Sequence, residues 1–131
     1  MRSFDVARER PAPRAWSGHG LDGAVRGGEF TRRTLVVAVK SDCLGCRDVL
    51  ESVPEDFAGC DVLLVARTSN GEPGWAASSH EVVVSPALLD ELAVRWPPFY
   101  VLIDPSSDRV VTEGVVFSLD QLRDEVAPYL V

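Results

Sequence analysis

The residues best equipped for chemistry are Cys43 and Cys46, two residues apart in "KSDCLGCRDVL" (40–50), directly after the apolar run "TLVVAV" (34–39). Such a pair can be a redox couple, half of a zinc site, or two small buried side chains. Cys46, Val49, Leu50 and Val53 fall at i, i+3, i+4 and i+7, the stripe of an amphipathic helix that Pro54 closes. Cys43 then stands at the helix start, where unpaired backbone N–H groups and the helix dipole favour a thiolate. Cys46, one turn further in, points at the core. One accessible attacker and one shielded resolver are what a dithiol–disulfide cycle requires. A zinc site needs two more ligands, and Cys60 with His80 or His19 supplies them only on paper. No second CxxC or HxxxH pair is present, and Cys60 precedes an apolar run where a lone cysteine is ordinarily a small core residue. The redox couple is the reading we favour over zinc and over plain packing, and no metal or other cofactor is expected.

The surrounding elements must hold this pair in place. Leu35–Val39 is a continuous apolar run rich in β-branched valine, as expected of a strand covered on both faces, and "DVLLVA" (61–66) is a second. With the helix between them they make a βαβ unit with a right-handed crossover. Residues 68–79, "TSNGEPGWAASS", read as a polar surface loop in which Trp75 is an anchor rather than a lid over the cysteines. "EVVV" (81–84) is a strand. Ser85 and Pro86 give a cap and a first-turn proline to a helix whose stripe is Leu89, Leu92, Ala93 and Trp96. "FYVLID" (99–104) and "RVVTEGVVF" (109–117), four residues apart, form a hairpin, with Gly114 as a candidate bulge. Ser118 and Gln121 make a capping box for a last helix that turns Leu119, Leu122 and Val126 inward. The expected order, β-α-β-β-α-β-β-α, is an α/β domain with a central mixed sheet flanked by helices.

At 131 residues the chain suits one core-bearing domain, read here as residues 34–131 preceded by a basic, partly ordered N-terminal arm, 1–33. The arm holds seven arginines against four acids, whereas the remainder carries six bases against sixteen acids. It could lie on the acidic body or on an acidic partner, but a solvated terminus is the plainer expectation. A net charge of −7 argues against nucleic-acid binding. No apolar run approaches the roughly 20 residues that span a bilayer, and "MRSFDVARERPAPRAWSGHG" lacks the apolar segment of a secretory signal. A cytoplasmic address is therefore expected, where three cysteines are unsuited to a structural disulfide framework. His19 and His80 read as ordinary surface or loop residues.

The strand–"CLGC"–helix unit, together with "RWPPFYVLIDPSSDRVV", resembles the thioredoxin-like superfamily, and within it the TlpA-like branch of thiol–disulfide oxidoreductases. The resemblance covers about residues 34–131. It implies a thioredoxin-like fold in which "EVVVSPALLDELAVRW" is an extra strand–helix insertion ahead of the cis-proline strand. Carried over residue by residue, Cys43 is the nucleophile, Cys46 the resolving thiol and Pro98 the cis-proline beside them. Physically, a cis X-Pro bond turns the chain sharply and holds backbone groups next to the sulfurs.

Several positions depart from the superfamily's pattern. Asp42 replaces the usual tryptophan before the reactive cysteine, and its carboxylate opposes the helix dipole, while Arg47 at i+4 offsets it. Val37 stands where thioredoxins proper carry a buried acid. Leu44 and Gly45 bring no charge, so a reducing or intermediate couple is expected rather than a potent oxidant. Pro97 precedes the cis-proline, the place whose backbone N–H and C=O pair with substrate; proline retains only the carbonyl. The expected partners are a disulfide-containing protein or small thiol substrate, and an electron-donor reductase or low-molecular-weight thiol. Two alternatives remain: a non-catalytic adaptor or redox-sensing module, favoured by Pro97, Asp42 and Val37, and a thiol peroxidase. The peroxidase is disfavoured because Lys40 occupies the place, three before Cys43, of a required threonine or serine.

Overall fold

The structure, a computed structural model, describes residues 10–41, 43–69 and 73–130. Its centre is the strand that precedes the cysteines, β3 (Thr34–Ala38), whose five residues are all buried. Because side chains alternate across a strand, Leu35 and Val37 enter one core with Cys46, Val49, Leu122 and Val126. Val36 and Ala38 enter a second core with Leu88, Leu89 and Leu92. Each fully buried aliphatic side chain contributes about 1.5–3 kcal/mol relative to exposure, so a strand apolar at every position needs layers on both sides.

Those layers come from helices α1 (Leu44–Glu51), α2 (Pro73–Ala77), α3 (Pro86–Glu91) and α4 (Leu119–Val126). The first core takes its helical residues from α1, α2 and α4, and the second takes them from α3. Between the layers lies one seven-stranded sheet. It adds to β3 the strands β1 (Ala15–Gly20), β2 (Val25–Glu29), β4 (Asp61–Ala66), β5 (Glu81–Val84), β6 (Phe99–Asp104) and β7 (Arg109–Val115), in the spatial order β2-β1-β5-β4-β3-β6-β7. The β3–β4 and β4–β5 pairs are parallel and the remaining pairs antiparallel, so the sheet is mixed as expected.

Capping follows the sequence closely. Ser85 Oγ accepts from the Leu88 N–H at the start of α3, and Ser118 with Gln121 closes a full capping box on α4. Other expectations are corrected. Within 68–79, Pro73–Ala77 is helical rather than loop and buries Trp75 to 4% exposure. The hairpin irregularity falls opposite the Leu102/Ile103 step, where Val111 is the extra residue, and not at Gly114. Gly114 pairs with Tyr100, and a Cβ there would stand 3.3 Å from the tyrosine ring, so its smallness serves close packing. Helix α3 stops at Glu91, and the turn through Ala93 at φ 58° throws Trp96 outward at 79% exposure instead of into the helix stripe.

Residues 15–29, within the expected basic arm, form β1 and β2, which extend the sheet beyond β5. Gly18 permits this junction: a Cβ there would collide with the Val84 carbonyl oxygen and Ser85 Cβ, and Ser85 Oγ donates to the Ser17 carbonyl at 2.6 Å. Upstream, residues 10–12 run beside the start of β7 through Val110 N–H to Arg10 O and Ala12 N–H to Asp108 O. The arginines of this region do touch the acidic body. Arg10 pairs with Glu113, Arg14 with Asp108 and Arg32 with Asp61.

Candidate redox site

Strand β3 delivers the chain to the site. Its parallel pairing continues one residue further, with the Val39 N–H donating to Val65 O at 2.9 Å, before the chain turns into α1. Cys43 is the N-cap of α1, in extended backbone, and its Sγ accepts from the Cys46 N–H at 3.2 Å. The cysteine sulfur thereby does what a serine or aspartate oxygen does at other helix starts, occupying an orphan donor of the first turn. Cys43 and Cys46 are joined as a disulfide with their Cα atoms 5.2 Å apart. Their surroundings differ sharply. Cys43 is half-buried, whereas Cys46 is 1% exposed and packs in the first core. The Lys40 N–H donates to Cys46 Sγ at 3.4 Å, so each sulfur has a backbone donor.

Pro98 meets this turn from the opposite side. The Pro97–Pro98 peptide is cis, and the Pro98 carbonyl accepts from the Val116 N–H at 3.0 Å, which ties it to the end of β7. The first turn of α1 rests against it: a Cβ built on Gly45 would lie 3.2 Å from Pro98 Cγ. Cys43, Cys46 and Pro98 are thus gathered in one place by β3, α1 and the start of β6. Pro97, half-buried, borders them and has no N–H to offer. Arg47 is exposed on α1, and with Lys40 it lines a cavity of about 100 Å³ that also touches Cys43 and is walled by Leu50, Glu51, Gly74 and Trp75. Asp42 lies outside the described residues. Val37 is fully buried and stands opposite Tyr100 in the sheet, so apolar packing replaces an acid there.

Three exposed side chains neighbour the site in sequence: Trp96, whose place next to Pro97 and Pro98 already allowed a position near the cysteines, and Leu44 and Phe117, which the sequence does not mark as contact residues. Leu44, Trp96 and Phe117 are 77, 79 and 77% exposed. Leu44 separates Cys43 from Gly45, Trp96 lies two residues before Pro98, and Phe117 follows Val116, the residue bonded to Pro98. Each is a large exposed apolar side chain one or two residues in sequence from Cys43, Pro98 or Val116, and exposed apolar side chains beside a reactive pair are candidates for contact with a partner. Phe117, expected as the last residue of a strand, lies beyond β7, which ends at Val115, and beyond the Val116 N–H bond to Pro98.

The remaining thiol and imidazoles lie apart from this chemistry. Burial pushes the Cys60 thiol up to about 11, leaving it protonated at neutral pH. His19 is exposed on β1, but His80, expected at the surface, is 7% exposed and bonded to Ser52. Among the described residues, no three His, Cys, Asp or Glu side chains come together as a metal-holding group. No described helix is long and apolar enough to cross a membrane.

No family model matches the chain, and no curated protein sequence matches it. Solved structures do. A putative thiol:disulfide interchange protein DsbE from Chlorobium tepidum superposes with a TM-score of 0.73 at 18% identity, covering 95% of this chain and 98% of that one. The thioredoxin domain of a thiol-disulfide oxidoreductase from Bacteroides vulgatus gives 0.68 at 18% identity, covering 93% and 96%. A secreted Mycobacterium tuberculosis disulfide oxidoreductase homologous to Escherichia coli DsbE gives 0.63 at 16% identity, covering 86% and 95%. The chain has the thioredoxin-like fold, with β5 and α3 as the strand–helix insertion ahead of the cis-proline strand.

Proposed function

We propose that this protein is a thiol–disulfide oxidoreductase that cycles Cys43 and Cys46 between dithiol and disulfide. The observation that carries the proposal is the asymmetry of the pair: a half-buried Cys43 capping a helix, bonded to a Cys46 that is 1% exposed. In the reduced protein, the Cys43 thiolate attacks one sulfur of a substrate disulfide and the other sulfur leaves as a thiolate. The Cys46 thiolate then attacks Cys43 Sγ, forms the internal disulfide and expels the second substrate thiol. The Cys46 N–H stabilises negative charge on Cys43, and the Lys40 N–H does so on Cys46. With valine at position 37, protons are exchanged with water rather than with a buried acid. The exposed Leu44, Trp96 and Phe117 favour a protein disulfide flanked by apolar residues as substrate.

Trapping tests this. Reduced Cys46→Ser protein mixed with a disulfide-containing protein is expected to accumulate a mixed disulfide through Cys43, and Cys43→Ser is not. Cys60, held protonated, is expected to stay unmodified in both. A Cys43 thiol that is alkylated no faster than a cysteine in unfolded chain would remove the enzymatic reading. An adaptor that keeps the fold without turnover is the second reading. It is favoured by Pro97, which cannot donate a backbone hydrogen bond to a docked peptide, and by the apolar Val37.

A further inference from the structure

The cavity beside Cys43 has a composition at odds with the rest of the molecule. The chain carries a net charge of −7 and a single lysine, Lys40. That lysine and Arg47 nevertheless line the same cavity of about 100 Å³, with Cys43 in its wall and the buried Trp75 as another side. Among the described residues, Glu51 is the one carboxylate in the lining. Among the described residues, neither Lys40 nor Arg47 is engaged in an ion pair, unlike Arg10, Arg14, Arg32, Arg67 and Arg123. Two cations without an ion-pair partner among the described residues, beside a redox sulfur in an otherwise acidic protein, form a local anion site.

We propose that this cavity seats the carboxylate of a low-molecular-weight thiol whose sulfur exchanges with Cys43. This rests on the redox function proposed above and names the small-molecule partner for one half of the cycle. The size fits: 100 Å³ is the liquid volume of about three waters, enough for a carboxylate with a methylene and too small for a folded partner. The cavity is lined by α1 and α2 residues, and its lining includes none of Leu44, Trp96, Pro98 and Phe117. A protein disulfide and a small thiol therefore have separate docking places around one sulfur. In the reaction, the thiolate of the small molecule attacks Cys43 Sγ. A new S–S bond forms, the Cys43–Cys46 bond breaks, and its electron pair leaves on Cys46 Sγ, which takes a proton from water. A second molecule of the thiol attacks the small-molecule sulfur of the mixed disulfide and releases Cys43 as a thiolate. Two thiols are oxidised to one disulfide, and the protein disulfide is reduced to the dithiol.

The test compares three thiols on the oxidised full-length protein at low ionic strength: mercaptoacetate (anionic), 2-mercaptoethanol (neutral) and cysteamine (cationic). Rates are expressed per thiolate and corrected for intrinsic nucleophilicity, which falls with thiol pKa. Mercaptoacetate is expected to react about tenfold or more faster than cysteamine, the size of effect that two nearby cations exert on a unit charge near a surface. In the Lys40→Gln/Arg47→Gln double variant, both positions being exposed, that ratio is expected to fall to about one; the 2-mercaptoethanol rate, whose attacking sulfur is itself anionic, is expected to fall too, but by less than the mercaptoacetate rate. A wild-type ratio of one or below, or a ratio unchanged in the double variant, overturns the anion site while leaving the redox function standing if 2-mercaptoethanol still reduces the pair. Failure of all three thiols to reduce the protein faster than an unstructured peptide disulfide overturns both.

Discussion

Gly45 and Pro98 stand against each other beside the Cys43–Cys46 disulfide: a Cβ on Gly45 would lie 3.2 Å from Pro98 Cγ and 3.2 Å from the Val116 carbonyl oxygen. Neither neighbour is free to yield, because Pro98 is held to Val116 by a backbone hydrogen bond and the oxygen belongs to the main chain. In an exposed helix, Gly→Ala stabilises by about 1 kcal/mol. Here the crowding is expected to reverse that sign, so Gly45→Ala loses about 1 kcal/mol of stability. The rate of thiol exchange at Cys43 should fall with it, since α1 must move away from the proline. Urea unfolding of the oxidised protein, with exchange rates measured alongside, checks both; a more stable variant of unchanged rate would show that the contact positions nothing.

The apolar rim makes a different kind of prediction, one of substrate size. Trp96 and Phe117 are almost fully solvated, so Trp96→Ser and Phe117→Ser should change stability by no more than about 0.5 kcal/mol. If the two rings dock protein substrates, each variant should slow reduction of a protein disulfide about five- to thirtyfold, corresponding to about 1–2 kcal/mol of lost contact. Reduction of bis(2-hydroxyethyl) disulfide, too small to reach either ring, should be unaffected. Equal losses on both substrates would instead mean that the rings shape the cysteine turn itself.

Much of this arrangement could be read from residue order, because it rests on local rules. The helix stripe through Cys46, Val49 and Leu50 lies on the face that is buried, and Ser118 with Gln121 caps α4 as its spacing predicts. The cis geometry at Pro98, inferred by resemblance, is the backbone found there. What escaped was decided by tertiary contact. Every residue of β2 is exposed and two are glycine, so no alternation betrays a strand; edge hydrogen bonds from β1 hold it. Helix α2 is five residues long, shorter than any periodicity can reveal, and it exists around the burial of Trp75. Trp96 looked like a core position because its spacing from Leu89 and Leu92 is helical, but the positive φ at Ala93 ends the helix before it.

His80 is the residue whose burial the sequence concealed most completely, and it predicts the acid response of the fold. Ser52 Oγ donates to the Val49 carbonyl at 2.6 Å, so it accepts from His80 Nε2–H at 2.9 Å. That fixes the neutral Nε2–H tautomer and leaves Nδ1 as the atom that takes a proton in acid. Desolvation beside Phe57 lowers the imidazole below its ordinary 6.5, with the nearby Asp56 carboxylate acting weakly the other way. The unfolded chain therefore binds this proton first as pH falls. The stability contributed is fully present above 6.5 and is lost as pH drops through the folded-state value. His80→Gln retains an N–H for Ser52 but cannot titrate. It should cost about 1–2 kcal/mol at pH 8 through imperfect packing, yet lose less stability than the wild type between pH 7 and pH 5. Urea unfolding at four pH values separates the two curves, and parallel curves would show that the acid sensitivity resides in the carboxylates instead.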